Sequence, residues 1–136
     1  MIPRILLRWL YAVSLAIMLI GIAREFLSLI FYFAPGRFQV RYPADVNAYI
    51  MFAYGVLGAL MQGWGVGMFM IVRGPFRRRE SGGWALLAVP MLIWFVADTG
   101  FSLCTGFWQN GILNAVLLLL LAIPLAATRK YFNGKG

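Results

Sequence analysis

The chain has 136 residues, of which 62% are hydrophobic and 12% charged, and its net charge is +8. A soluble domain of this length has too small a core to hide that much apolar surface, so the bilayer is the solvent that fits. With no His and a single Cys, the sequence excludes a Ser-His-Asp triad, His-ligated haem, a His-rich zinc site and an internal disulfide.

Four apolar spans are predicted in chain order. The first runs from about Trp9 to Phe33. Ser14 is the one polar side chain of its core, Arg24 and Glu25 interrupt it, and Ala34-Pro35-Gly36 ends it. The second runs from about Val46 to Val72, with Asp45 as its N-cap and Arg73-Gly74-Pro75 as its stop. The third runs from about Gly83 to Leu103 around Pro90, and the fourth from about Gly111 to Thr128 with Pro124 near its end. Each has about the 20 residues that a hydrocarbon core of about 30 Å needs. Proline inside a packed span is tolerated, because neighbours re-satisfy the freed backbone groups. The expected fold is all-α: one polytopic domain over residues 1–136, a four-helix transmembrane bundle.

Basic residues set the orientation. Arg4, Arg8, Arg73, Arg77, Arg78, Arg79, Arg129, Lys130 and Lys135 all fall on one side of a four-pass chain. Arg37 and Arg41 alone lie in the opposite loops. The positive-inside rule then puts both termini in the cytoplasm and the protein in the plasma (inner) membrane. A rival reading takes Arg4 and Arg8 as the n-region of a signal peptide cleaved near Gly21-Ile22-Ala23. The apolar run resumes at Phe26 and is too long for that. The loop from Pro35 to Asp45 reads as an interfacial segment anchored by aromatics, or as a short extended stretch.

The second span carries a small-residue stripe, Gly55, Ala59, Gly63 and Gly67, repeating every four residues. Such stripes let two backbones approach closely in lipid. The partner is a helix of the same chain, a second copy, or another membrane protein. Gly58 and Gly65 fall off this stripe. Gln62, near mid-membrane, is expected to bond across to another helix.

Ionisable and polar residues form a second pattern. Arg24 lies 16 residues beyond Arg8, and Asp98 lies 16 beyond Gly82. At about 1.5 Å per residue both stand about 24 Å above the cytoplasmic boundary. Asn114, on the returning fourth span, stands about 22 Å up by the same rise. Glu25, Thr99, Ser102, Gln109 and Asn110 lie at similar or shallower depth. Buried charge is costly in lipid, so this layer is a candidate site. An Arg24–Asp98 pair completed by Asn114 would act as a structural clamp or as a ligand site.

The remaining motifs are bland. Arg77, Arg78 and Arg79 serve topology and contact with anionic lipid rather than nucleic acid. Met61, Met68 and Met70 read as packing or lipid-facing residues, and no metal or cofactor is expected. Glu25 and Asp98 are two carboxylates that lack a nucleophile or metal set beside them, so no catalytic residue is assigned. In length and helix count the chain resembles the small multidrug transporters. Their first-helix Glu has no counterpart here, where Ser14 and Met18 occupy that zone and Glu25 comes late. DoxX-like and sterol-isomerase-like proteins share the four-helix plan without a motif that matches. The function expected from sequence is a non-catalytic accessory, assembly or interaction component. The alternative is a transporter or binder of a small or lipid-like molecule, with an enzyme third.

Overall fold

The computed structural model describes residues 1–34 and 43–132. The expected interfacial loop, with Arg37 and Arg41, lies outside the described residues from 35 to 42, and so does Lys135. Four helices account for most of the rest: α1 (Arg4–Phe33), α2 (Ala44–Ile71), α3 (Ala85–Cys104) and α4 (Trp108–Thr128). No strand occurs among the described residues.

All four helices are long and apolar enough to cross a membrane, and only 22–28% of each apolar window is buried. The outward faces carry Leu19, Ile20, Phe26, Leu60, Ile93, Val96 and Leu119, all about half exposed or more. A water-soluble monomer rarely exposes apolar surface on that scale. The architecture is compatible with a membrane protein.

The ends of the helices follow local chemistry. α1 starts five residues earlier than expected, because the Pro3 carbonyl accepts the Leu6 and Leu7 N–H groups and Pro is tolerated at a helix start. Asp45 is not the N-cap of α2. It lies inside the first turn, where its negative charge still favours the positive end of the helix dipole. Arg73-Gly74-Pro75 does not stop the chain outright. A π-helical turn, Val72–Phe76, continues from α2 and absorbs Pro75, with Gly74 at φ −96° and ψ −107°. Such turns accommodate a residue that cannot donate to the regular ladder.

Two left-handed residues close the hairpins. After α3, Phe107 N–H reaches Ser102 O at 2.8 Å and Gly106 N–H reaches Leu103 O at 3.2 Å, with Gly106 at φ 81°. That is a Schellman cap, and it lets α4 begin at Trp108, three residues before the expected start. The same pattern ends the π turn. Glu80 N–H meets Pro75 O at 2.9 Å and Arg79 N–H meets Phe76 O at 3.0 Å, with the non-glycine Arg79 at φ 56°.

The chain divides into two compact units. One is Ser14–Gly67, an antiparallel pair made of most of α1 and α2. Its closest approach is set by glycines. A Cβ built on Gly58 would stand 2.7 Å from the Gly21 carbonyl oxygen and 2.9 Å from the Glu25 nitrogen. One built on Gly65 would stand 2.7 Å from Met18 N and 2.8 Å from Ser14 O. Gly21 is equally tight, 2.6 Å from Gly58 O. The four-residue stripe is not the face that makes this contact. Gly63 and Gly67 meet nothing within 4 Å, and Gly55 touches only Ser28 Cβ at an ordinary 3.7 Å. The intramolecular contact uses Gly55, Gly58, Gln62 and Gly65 against Ser14, Met18, Gly21, Glu25 and Ser28. Both series step by three and four residues, a period near 3.5, which keeps one face toward a partner helix.

The other unit joins Met1–Val13 to Met68–Gly136. Leu10, Val72 and Phe76 are fully buried there, with Leu121, Leu125 and Met91 nearly so. The Tyr11 and Phe69 rings meet at 5.0 Å, as do Phe76 and Phe132. Trp84 Nε1 donates to Leu125 O at 2.8 Å, and Arg129 lies 5.4 Å from the Trp84 ring centre. Thr128 is buried and donates its hydroxyl to Pro124 O at 2.7 Å.

Candidate functional site

Two places gather polar side chains, one in each unit. In the second unit, α3 and α4 pack as a hairpin. Their facing sides hold Asp98, Thr99 and Ser102 on α3 and Asn110 and Asn114 on α4. Asn114 Nδ2 donates to Asp98 Oδ2 at 2.8 Å and to Thr99 Oγ1 at 3.2 Å. Asn110 Nδ2 donates to Ser102 Oγ at 2.7 Å and to the same Asp98 oxygen at 3.3 Å. Ser102 in turn gives its proton to the Asp98 backbone carbonyl at 2.7 Å. Asn114 and Ser102 are almost fully buried.

The spacing explains the convergence. Positions 98, 99 and 102 share one helix face, and 110 and 114 share another. The tight turn at Gly106 lays those faces together. Each side chain in the network has a hydrogen-bond partner, and among the described residues no buried side-chain nitrogen or oxygen is left without one. A satisfied network of this kind fixes the register of two helices where water cannot compete. Ser102 makes a poor nucleophile in this state, since its proton is committed to the backbone.

In the first unit, Gln62 Nε2 donates to Glu25 Oε2 across the helix pair. Ser28 Oγ donates back to the Arg24 carbonyl at 2.8 Å, and the Arg24 guanidinium lies 5.0 Å from the Tyr54 ring centre. Arg24 and Asp98, expected as a pair, belong to different units, and each has partners inside its own.

Beside Glu25 runs an open groove of about 620 Å³. One wall is α1, from Glu25 and Ser28 through Leu29 to Tyr32 and Phe33. The other is α2, from Tyr49 and Phe52 to Gly55 and Ala59. Glu25 is about 12 Å from the end of α1 at the helical rise. The groove is thus aromatic and aliphatic along its length, with one carboxylate toward its inner end. Its volume lies in the range of small-molecule sites, about 300–1,000 Å³. Sequence reading named Glu25 but missed the groove. The signal was available in the small residues Gly55 and Ala59 of α2, the first of them opposite Ser28.

Arg77, Arg78 and Arg79 sit in the turn that closes the π segment, with Arg78 paired to Glu80. Among the described residues no group of three His, Cys, Asp or Glu side chains comes together around a metal-sized space. No protein-family model, curated protein or solved structure matches this chain.

Proposed function

We propose that the chain is an integral membrane protein, N-in and C-in in the plasma membrane, that holds a lipid-like molecule in the α1–α2 groove and carries out no bond-making chemistry itself. The groove carries this reading: about 620 Å³ of largely apolar space, open along one side and lined by Leu29, Tyr32, Tyr49 and Phe52. Under the proposed orientation it opens to the outer leaflet, so a ligand enters from lipid rather than from water. The cations of the opposite end, Arg77, Arg78 and Arg79, then rest against anionic headgroups. The Asp98–Asn114 network serves as the clamp that holds α3 against α4.

The test is to purify the protein with its native lipid and weigh it intact. Wild type should retain a bound amphiphile. Gly55→Leu puts a side chain on the groove lining, and its new Cβ meets Ser28 at an ordinary contact distance, so it should fold and lose that ligand. Retention of the same adduct by the Leu variant would defeat the reading.

One observation favours a second role, as an accessory or assembly component. Gly63 and Gly67 are open within the chain, and α2 is thin there. A helix from a second copy or another membrane protein fits such a surface. Gly63→Leu would then release a partner without loosening the chain itself.

A further inference from the structure

We infer that the groove selects a long-chain primary amine in its ammonium form, with its head against Glu25 and its chain along Leu29, Phe52 and Tyr49. This rests on the reading of the groove as a binding site and adds the ligand's charge. The groove has two chemically distinct ends. Its length is aliphatic and aromatic, which suits a hydrocarbon tail, and its inner end presents the Glu25 carboxylate and the Ser28 hydroxyl.

The carboxylate is only part-used. Gln62 donates to Oε2, a neutral amide contact that positions the group without neutralising it. Among the described residues of this unit Arg24 is the one cation, and it turns to Tyr54 rather than to Glu25. Ser28 already donates its proton to Arg24 O, so toward the groove it offers an acceptor. Two acceptors and one negative charge, reached through apolar walls, complement a head that only donates. An ammonium has three donors and no acceptor. A carboxylate or phosphate head would meet like charge, and a plain hydrocarbon would leave Glu25 without a counter-charge in low dielectric.

The experiment uses the full-length protein in nanodiscs and reads bound probe by native mass spectrometry. The two probes are dodecylammonium and dodecanol, which share a tail and differ in head charge. Wild type should bind both, the ammonium at least about tenfold more tightly, the factor that one charge-assisted bond supplies. Glu25→Gln keeps a carbonyl oxygen for Gln62. It should remove the preference and bring the ammonium down to the level of the alcohol. Equal binding of the two probes by wild type overturns the charge assignment while the groove reading stands. A preference that survives in Glu25→Gln overturns it as well. If neither probe binds, or if Gly55→Leu binds both as well as wild type, the groove itself is not the site.

Discussion

Replacing Gly58 by Ala is the sharpest test of how α1 and α2 meet. The new methyl would stand 2.7 Å from Gly21 O, 2.9 Å from Glu25 N and 3.3 Å from Glu25 Cβ. The two nearest atoms are backbone, so no side chain can rotate away. Relief requires the helices to separate by roughly half an ångström, a strain in the range of about 1–3 kcal/mol for overpacking. The separation would also lengthen the Glu25–Gln62 contact. Gly→Ala raises helix propensity by about 1 kcal/mol in soluble helices, which masks part of the effect. Gly63→Ala is the control, because it has the same propensity term and meets nothing within 4 Å. The difference between the two variants isolates the contact. Gly58→Ala should be less stable than Gly63→Ala by about 1–3 kcal/mol in reversible unfolding in mixed micelles. Equal stabilities, or the reverse order, would refute the 3.5-residue register and restore the four-residue stripe as the packing face.

Three further outcomes follow from other parts of the chain. Asn114→Leu and Asp98→Leu should each destabilise, and the double variant should lose less than their sum, by about 0.6–1.7 kcal/mol, as interhelical polar pairs do in membranes; strict additivity in an unfolding titration would show that the two side chains do not interact. Arg79→Gly should raise stability by up to about 1 kcal/mol, because the left-handed conformation strains a side chain by about 1–2 kcal/mol and glycine returns part of that gain as entropy; a lower melting temperature would count against the Schellman turn. Cys104 is the one native thiol and is exposed at the end of α3, so in intact cells an impermeant maleimide should label it from outside; labelling only after the membrane is opened would reverse the proposed topology.

Much of the helical layout is legible in the sequence, because apolar length and turn residues act locally. Span ends were misplaced where capping is made by backbone rather than by a recognisable side chain. Trp108 is such a case, since the Gly106 turn that precedes it left no polar N-cap to read. The glycine contact inside the chain is hard to read from sequence for a different reason. Gly55, Ala59, Gly63 and Gly67 form the longer repeat on α2 alone, but a contact is a property of two helices. Gly21 is the decisive residue. On α1 it looks like an isolated small position, and only opposite Gly58 does it become the point where two backbones touch.

The polar layer shows the same limit in electrostatics. Depth arithmetic brought Asp98 to the level of Asn114, and the structure joins them at 2.8 Å. Depth alone does not choose azimuth, and Arg24 is the strongest partner that depth allows. Amides meet Asp98 within its own hairpin, because positions 110 and 114 return on the adjacent helix after a three-residue connection. Arg24 was left to an aromatic face at Tyr54. That choice leaves the neighbouring Glu25 bonded to a neutral amide and facing apolar space. Under the proposed function the two carboxylates have different tasks. Asp98 is enclosed by donors of its own hairpin and fixes structure. Glu25 borders an open groove, and its charge remains available to a ligand.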